Sequence, residues 1–145
     1  MKNILLGLSV LLSLSAASAE AKDFLSPHQA KIVVGEIDSI CADTWCEGDF
    51  GYRFNTFKCD DKTGACKLAF QMACMDIGED DMSRGWVKWT KFECKFKGYD
   101  RFFDFVEMNT NEDGSHWYSL RDKFYEDVSD NCISEKEKVM RKVCY

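Results

Sequence analysis

The sequence is poor in the residues that mark linkers, metal centres and nucleic-acid binders. It has one proline and two histidines in 145 residues. A single proline excludes a proline-rich spacer. Positive charge is also short, with 19 Lys and Arg against 25 Asp and Glu for a net charge of −6. That balance argues against a phosphate-backbone binder, so nucleic acid is not expected as a partner. No long apolar run follows Leu14, so no stable membrane insertion is expected. The Gly-x-Ser-x-Gly elbow and the glycine patterns of P-loops and dinucleotide folds are missing. Aromatics, by contrast, are plentiful: 11 Phe, 5 Tyr and 4 Trp. They are enough to build a core and too many for a disordered acidic chain.

The first 19 residues read as an export signal. Lys2 supplies the positive n-region, Ile4 to Leu14 the apolar stretch, and Ala17-Ser18-Ala19 a small-x-small cleavage site. The apolar stretch is too short to span hydrocarbon, which needs roughly 20 residues. Residues 20–145 are the expected mature protein, one domain with one core. Loss of Lys2 takes the net charge from −6 to −7. The expected location is periplasmic or secreted.

Eight cysteines, all beyond residue 40, fit that location. In an exported chain of this size Cys41, Cys46, Cys59, Cys66, Cys74, Cys94, Cys132 and Cys144 read as four disulfides. Only Cys41 and Cys46 have the Cys-x2-4-Cys spacing of structural zinc and no second such pair accompanies them, so no metal and no cofactor is expected.

Ser26-Pro27 opens a helix, because serine caps free amides and proline suits the first helical position. Ala30, Val33, Ile37 and Ile40 continue it at helical spacing to about Ile40. Gly35 within it suggests a close contact with the sheet. The period then changes to two. Phe50, Tyr52 and Phe54 alternate with polar or small residues, and Phe57 and Cys59 follow on the opposite parity, which predicts a bulge near Thr56. Asp60 to Gly64 is turn chemistry, and Cys66, Leu68, Phe70 and Met72 form a second strand. Gly78 to Gly85 is a polar connection. Trp86 to Phe96 reads as a third strand, Arg101 to Met108 as a fourth and His116 to Leu120 as a short fifth. Leu120, Phe124, Val128, Cys132, Val139 and Val143 keep helical spacing, with a break near Asp130-Asn131 and a capping box at Ser134-x-x-Glu137. The fold class that follows is α+β: an N-terminal helix, an antiparallel meander of four or five strands and one or two C-terminal helices, stapled by disulfides.

Helix geometry constrains the bridges. A continuous helix over 132–144 separates its terminal cysteines by roughly 18 Å, and a bridge needs Cα atoms within about 7 Å. Cys132 and Cys144 therefore pair elsewhere, with Cys41 and Cys46 as candidates, while Cys59 and Cys66 face each other across a hairpin.

Three constellations invite a chemical reading. Asn109, Asn111, Asp113 and Gly114 follow the rhythm of a calcium loop, but position 12 is Leu120 where a bidentate glutamate belongs, and a hairpin turn accounts for them. Asp113, Ser115 and His116 have triad residue types, yet adjacency in sequence is not a triad. Scattered carboxylates could serve a glycosidase, though no pair singles itself out. Two acidic loops remain as binding candidates. Asp43, Trp45, Glu47 and Asp49 lie between and just after two cysteines, and Glu79, Asp80 and Asp81 sit in the 78–85 connection. Loops on a fixed scaffold often carry binding, and tryptophan is a frequent hot-spot residue. The expected function is non-catalytic binding, most concretely inhibition of a basic secreted hydrolase such as a lysozyme-like enzyme. The alternatives are an envelope structural or adhesion protein that binds a surface polymer or itself, and a small glycan hydrolase.

Overall fold

A computed structural model describes residues 22–46, 48 and 50–145. The expected export signal, Glu47 and Asp49 lie outside the described residues. Helix α1 spans Pro27–Ile40. The Ser26 hydroxyl accepts from the Gln29 amide at 3.2 Å while the Gln29 side chain accepts from the Ser26 amide at 2.9 Å, a reciprocal cap that ties up two otherwise free donors. Val33 and Ile37 are its fully buried positions. Gly35 is exposed with nothing within 4 Å of where a Cβ would sit. The expected glycine contact with the sheet is thus not made: Gly35 falls on the solvent face.

Strands β1 (Phe50–Cys59), β2 (Cys66–Ile77) and β3 (Ser83–Phe96) form an antiparallel sheet in the order β1-β2-β3. The register shifts between Phe54 and Thr56, so the expected bulge is present, and beyond it Phe57 and Cys59 turn to the core. Strands β4 (Val106–Thr110) and β5 (His116–Leu120) form a separate hairpin. The five strands therefore divide into sheets of three and two rather than one meander.

The dividing point is the segment read as a fourth strand from Arg101. Residues Phe102–Asp104 form a turn of 3-10 helix instead, and the strand begins only at Val106. The cause is local. The Asp104 carboxylate accepts from the Asp100 and Arg101 amides at 3.0 and 3.2 Å and from the Arg101 guanidinium at 3.0 Å. Side-chain bonds of this kind offer the backbone an alternative to the sheet ladder. Burial pushes the Asp104 carboxyl up, but these bonds outweigh it and hold it below its ordinary range.

The chain closes with α2 (Asp122–Val128), a π-helical turn (Ser129–Ser134) and α3 (Glu135–Cys144). Helical geometry never breaks across 129–134, so Ser134 makes no side-chain cap and Glu137 bonds Arg141 at 2.6 Å instead. The disulfides are Cys41–Cys46, Cys59–Cys66, Cys74–Cys144 and Cys94–Cys132. Cys132 and Cys144 do pair elsewhere, as the helix length requires. Their partners are sheet cysteines and not Cys41 or Cys46, which the π-helical turn after α1 brings to each other. The cysteines form four bonded pairs, as an oxidising compartment allows.

The core lies between the inner face of the three-stranded sheet and the helices. Its centre is aromatic: Phe124 is fully buried with its ring 4.9 Å from Phe105, 5.2 Å from Phe96, 5.3 Å from Tyr99 and 5.7 Å from Phe57. Edge-to-face pairs of this type add about 0.5–1.5 kcal/mol each beyond area burial.

Candidate binding surface

Among the described residues, strand β2 past Cys74 has no β1 partner and pairs only with β3. The β2–β3 hairpin therefore runs on as an arm over residues 75–87. Its turn is folded by its own residues. The Gly78 amide donates to the Met82 carbonyl at 2.9 Å and the Asp81 amide to the Gly78 carbonyl at 3.0 Å. Asp81 takes a positive φ of 58°, a conformation Asp tolerates better than most side chains.

The arm carries Ile77, Met82, Trp86 and Val87, all exposed, at 53, 65, 41 and 37 %. Asp76 precedes them, and Glu79, Asp80 and Asp81 stand between Ile77 and Met82. Asp80 pairs with Arg84 at 3.7 Å. Glu79 and Asp81 are exposed and form no ion pair among the described residues. Clustered exposed apolar residues are uncommon on a monomer and mark contact surfaces. The sequence reading located the carboxylates of this segment and missed its apolar residues. The available signal was a break in alternation, with large apolar residues on both sides of an acidic run.

The arm's root is shaped from the outer face of the sheet. Trp86 pairs with Met75 and its ring lies on Gly51. A Cβ at Gly51 would sit 2.7 Å from the Trp86 ring, so only glycine admits that close approach. Between the pairs Met72↔Thr90 and Cys74↔Val87, β3 carries Lys88 and Trp89 opposite the single Ala73, a bulge that re-aims side chains. The Arg53 guanidinium lies 3.9 Å above the Trp89 ring. The result is a two-tryptophan shelf beside the arm.

Asp43 and Trp45 belong to the π-helical turn Cys41–Trp45, which Cys41–Cys46 closes. Asp43 is exposed. Trp45 is half-buried, its ring 4.5 Å from that of Tyr125, so part of it caps the core. Burial, with the negative charges of Asp38 and Asp43 behind it, pushes the Tyr52 phenol up. Cys46, which closes this turn, stands four residues before Phe50, the β1 residue that pairs with Cys74 at the root of the arm.

The other constellations resolve into turn chemistry. The Asp113 carboxylate accepts from the Ser115 hydroxyl at 2.6 Å and amide at 2.9 Å, which holds it below its ordinary range. His116 Nδ1 instead meets the Thr110 hydroxyl at 3.0 Å, so serine, histidine and aspartate form no relay. Asn109 and Thr110 belong to β4, and residues 111–115 close the β4–β5 hairpin, with Gly114 at φ 82°. Among the described residues no group of three or more His, Cys, Asp and Glu could hold a metal ion, and no helix is long and apolar enough to cross a membrane. Compared with protein-family models, curated proteins and solved structures, the chain has no match.

Proposed function

We propose that this is an exported, non-catalytic binding protein of the periplasm or the extracellular medium, and that its acidic, apolar arm engages a basic secreted protein, such as a lysozyme-like hydrolase that it inhibits. The observation that carries the reading is the arm: four exposed apolar side chains interleaved with carboxylates on a hairpin braced at its root. The Cys74–Cys144 bridge ties that root to the end of α3. A braced arm loses little freedom on binding, which favours affinity. Its charges steer a basic partner, and its apolar side chains supply the contact that persists after encounter.

The test is a pull-down with the immobilised oxidised protein from envelope and secreted extracts at about 50 and 300 mM salt, a range over which surface electrostatics weaken. Recovery of a stoichiometric basic enzyme, reduced at high salt, supports the reading. Glu79→Gln, Asp80→Asn and Asp81→Asn together should then slow association, while Trp86→Ala should speed dissociation. An unchanged association rate refutes the steering role. The tryptophan shelf favours a second reading, adhesion to a surface polymer. Retention on wall polysaccharide that ignores salt and the acidic substitutions, but is lost in Trp86→Ala, selects it.

A further inference from the structure

At the other end of α1 lies a groove that the arm does not use. It has a volume of about 780 Å³ and runs between the chain entering α1, the first two turns of that helix, and the bulged stretch of β1. Small-ligand pockets span roughly 300–1,000 Å³. Its apolar wall includes Leu25, Pro27, Ala30, Val34 and Phe57. The bulge between Phe54 and Thr56 lies on β1, an edge strand, and among the described residues no further strand pairs with that edge at the bulge.

The polar lining is one-sided. Lys22, Lys31 and Lys58 line the groove, are exposed and form no ion pair among the described residues. Asp23 is the one carboxylate among the lining residues, and it is already engaged: one of its oxygens accepts from the Leu25 amide at 3.0 Å and from the Cys59 amide at 3.1 Å. Three lysines against one carboxylate give this groove a positive lining in a chain of net charge −6. An apolar tail satisfies the wall and an anionic head satisfies the lysines. We infer that this groove binds a single-chain amphiphile with an anionic head, of the fatty-acid type.

The test is calorimetric titration of the purified, oxidised protein with dodecanoate below its micelle concentration. Dodecyltrimethylammonium (same tail, opposite charge) and butyrate (same head, short tail) are the comparisons. The expected result is saturable binding of one dodecanoate, with no saturable binding of either comparison. Lys31→Glu with Lys58→Glu should weaken dodecanoate at least tenfold, and Val34→Trp, which fills the groove, should abolish it. Near-ultraviolet circular dichroism checks the fold of each variant; should Val34→Trp not fold, Ala30→Trp takes its place. Failure of dodecanoate to bind the wild-type protein overturns the inference. Equal binding of both dodecyl amphiphiles overturns it too, as does binding unmoved by the lysine and groove-filling variants. Substitutions in the arm leave this titration unchanged, so its failure and that of the arm reading are separable.

Discussion

Removing the Cys74–Cys144 bridge by Cys74→Ala with Cys144→Ala is the sharpest test of how the fold is held. The bridge spans 70 residues of sequence. The Cys94–Cys132 bridge lies inside that span and shortens the loop that Cys74–Cys144 closes. The path runs from Cys74 to Cys94, across the inner bridge, and from Cys132 to Cys144, about 32 residues by the numbering. Closing a loop of that length removes denatured-state entropy equivalent to about 3.7 kcal/mol. The Cys41–Cys46 bridge has a separation of only 5, and the same relation yields about 2 kcal/mol. Loss of the long bridge should therefore cost roughly twice as much as loss of the short one. Equilibrium urea unfolding of both double variants against the oxidised wild type, with thiol titration to confirm the remaining bridges, measures the difference. A larger loss for the short bridge, or a loss under about 1.5 kcal/mol for the long one, would show that chain entropy is not the main contribution here.

Phe124→Ala should cost about 3–5 kcal/mol by opening a cavity among four aromatic rings, whereas Phe103→Ala, at a side chain 48 % exposed, should cost under about 1 kcal/mol; thermal unfolding compares them. Burial first, then the hydrogen bond to Asp127, pushes the Tyr99 phenol up to about 12 from 10.0, against the opposing effect of Lys123. Between those pH values the unfolded chain has lost this proton and the folded one keeps it, so stability should fall as pH rises through the window. Asp127→Asn should lower the Tyr99 midpoint in a tyrosinate absorbance titration, and an unmoved curve would refute the role assigned to Asp127. Gly51→Ala should push the Trp86 ring off the sheet and shift tryptophan emission to the red, at under about 1.5 kcal/mol in stability because the ring is free to swing outward.

The parts of the fold legible in the sequence are those decided by neighbours in the chain. Ser26-Pro27 sets the start of α1 because the cap involves residues three apart. Alternation sets β1 and β2, and its change of parity after Phe54 marks the bulge. The same logic misread residues 101–105, where a run of phenylalanines suggested a strand. There the Asp104 carboxylate captures two upstream amides and bends the chain into a helical turn. The acidic residues of the arm were legible as a loop. Its exposure was not, because Trp86 and Val87 read as ordinary strand residues until β1 is seen to stop at its pairing with Cys74.

What the sequence determined alone is composition and local order: an acidic, cysteine-paired α+β chain, the period of each segment, and the requirement that Cys132 and Cys144 find partners other than each other. The length of a helix decides that last point without any knowledge of the fold. Which cysteines they meet, which strand is left unpaired beyond Cys74, and where lysines from residues 22, 31 and 58 gather around one groove were decided by tertiary structure. Contacts between residues 20 to 70 positions apart depend on how the faces pack against each other, and that packing is a property of the whole core.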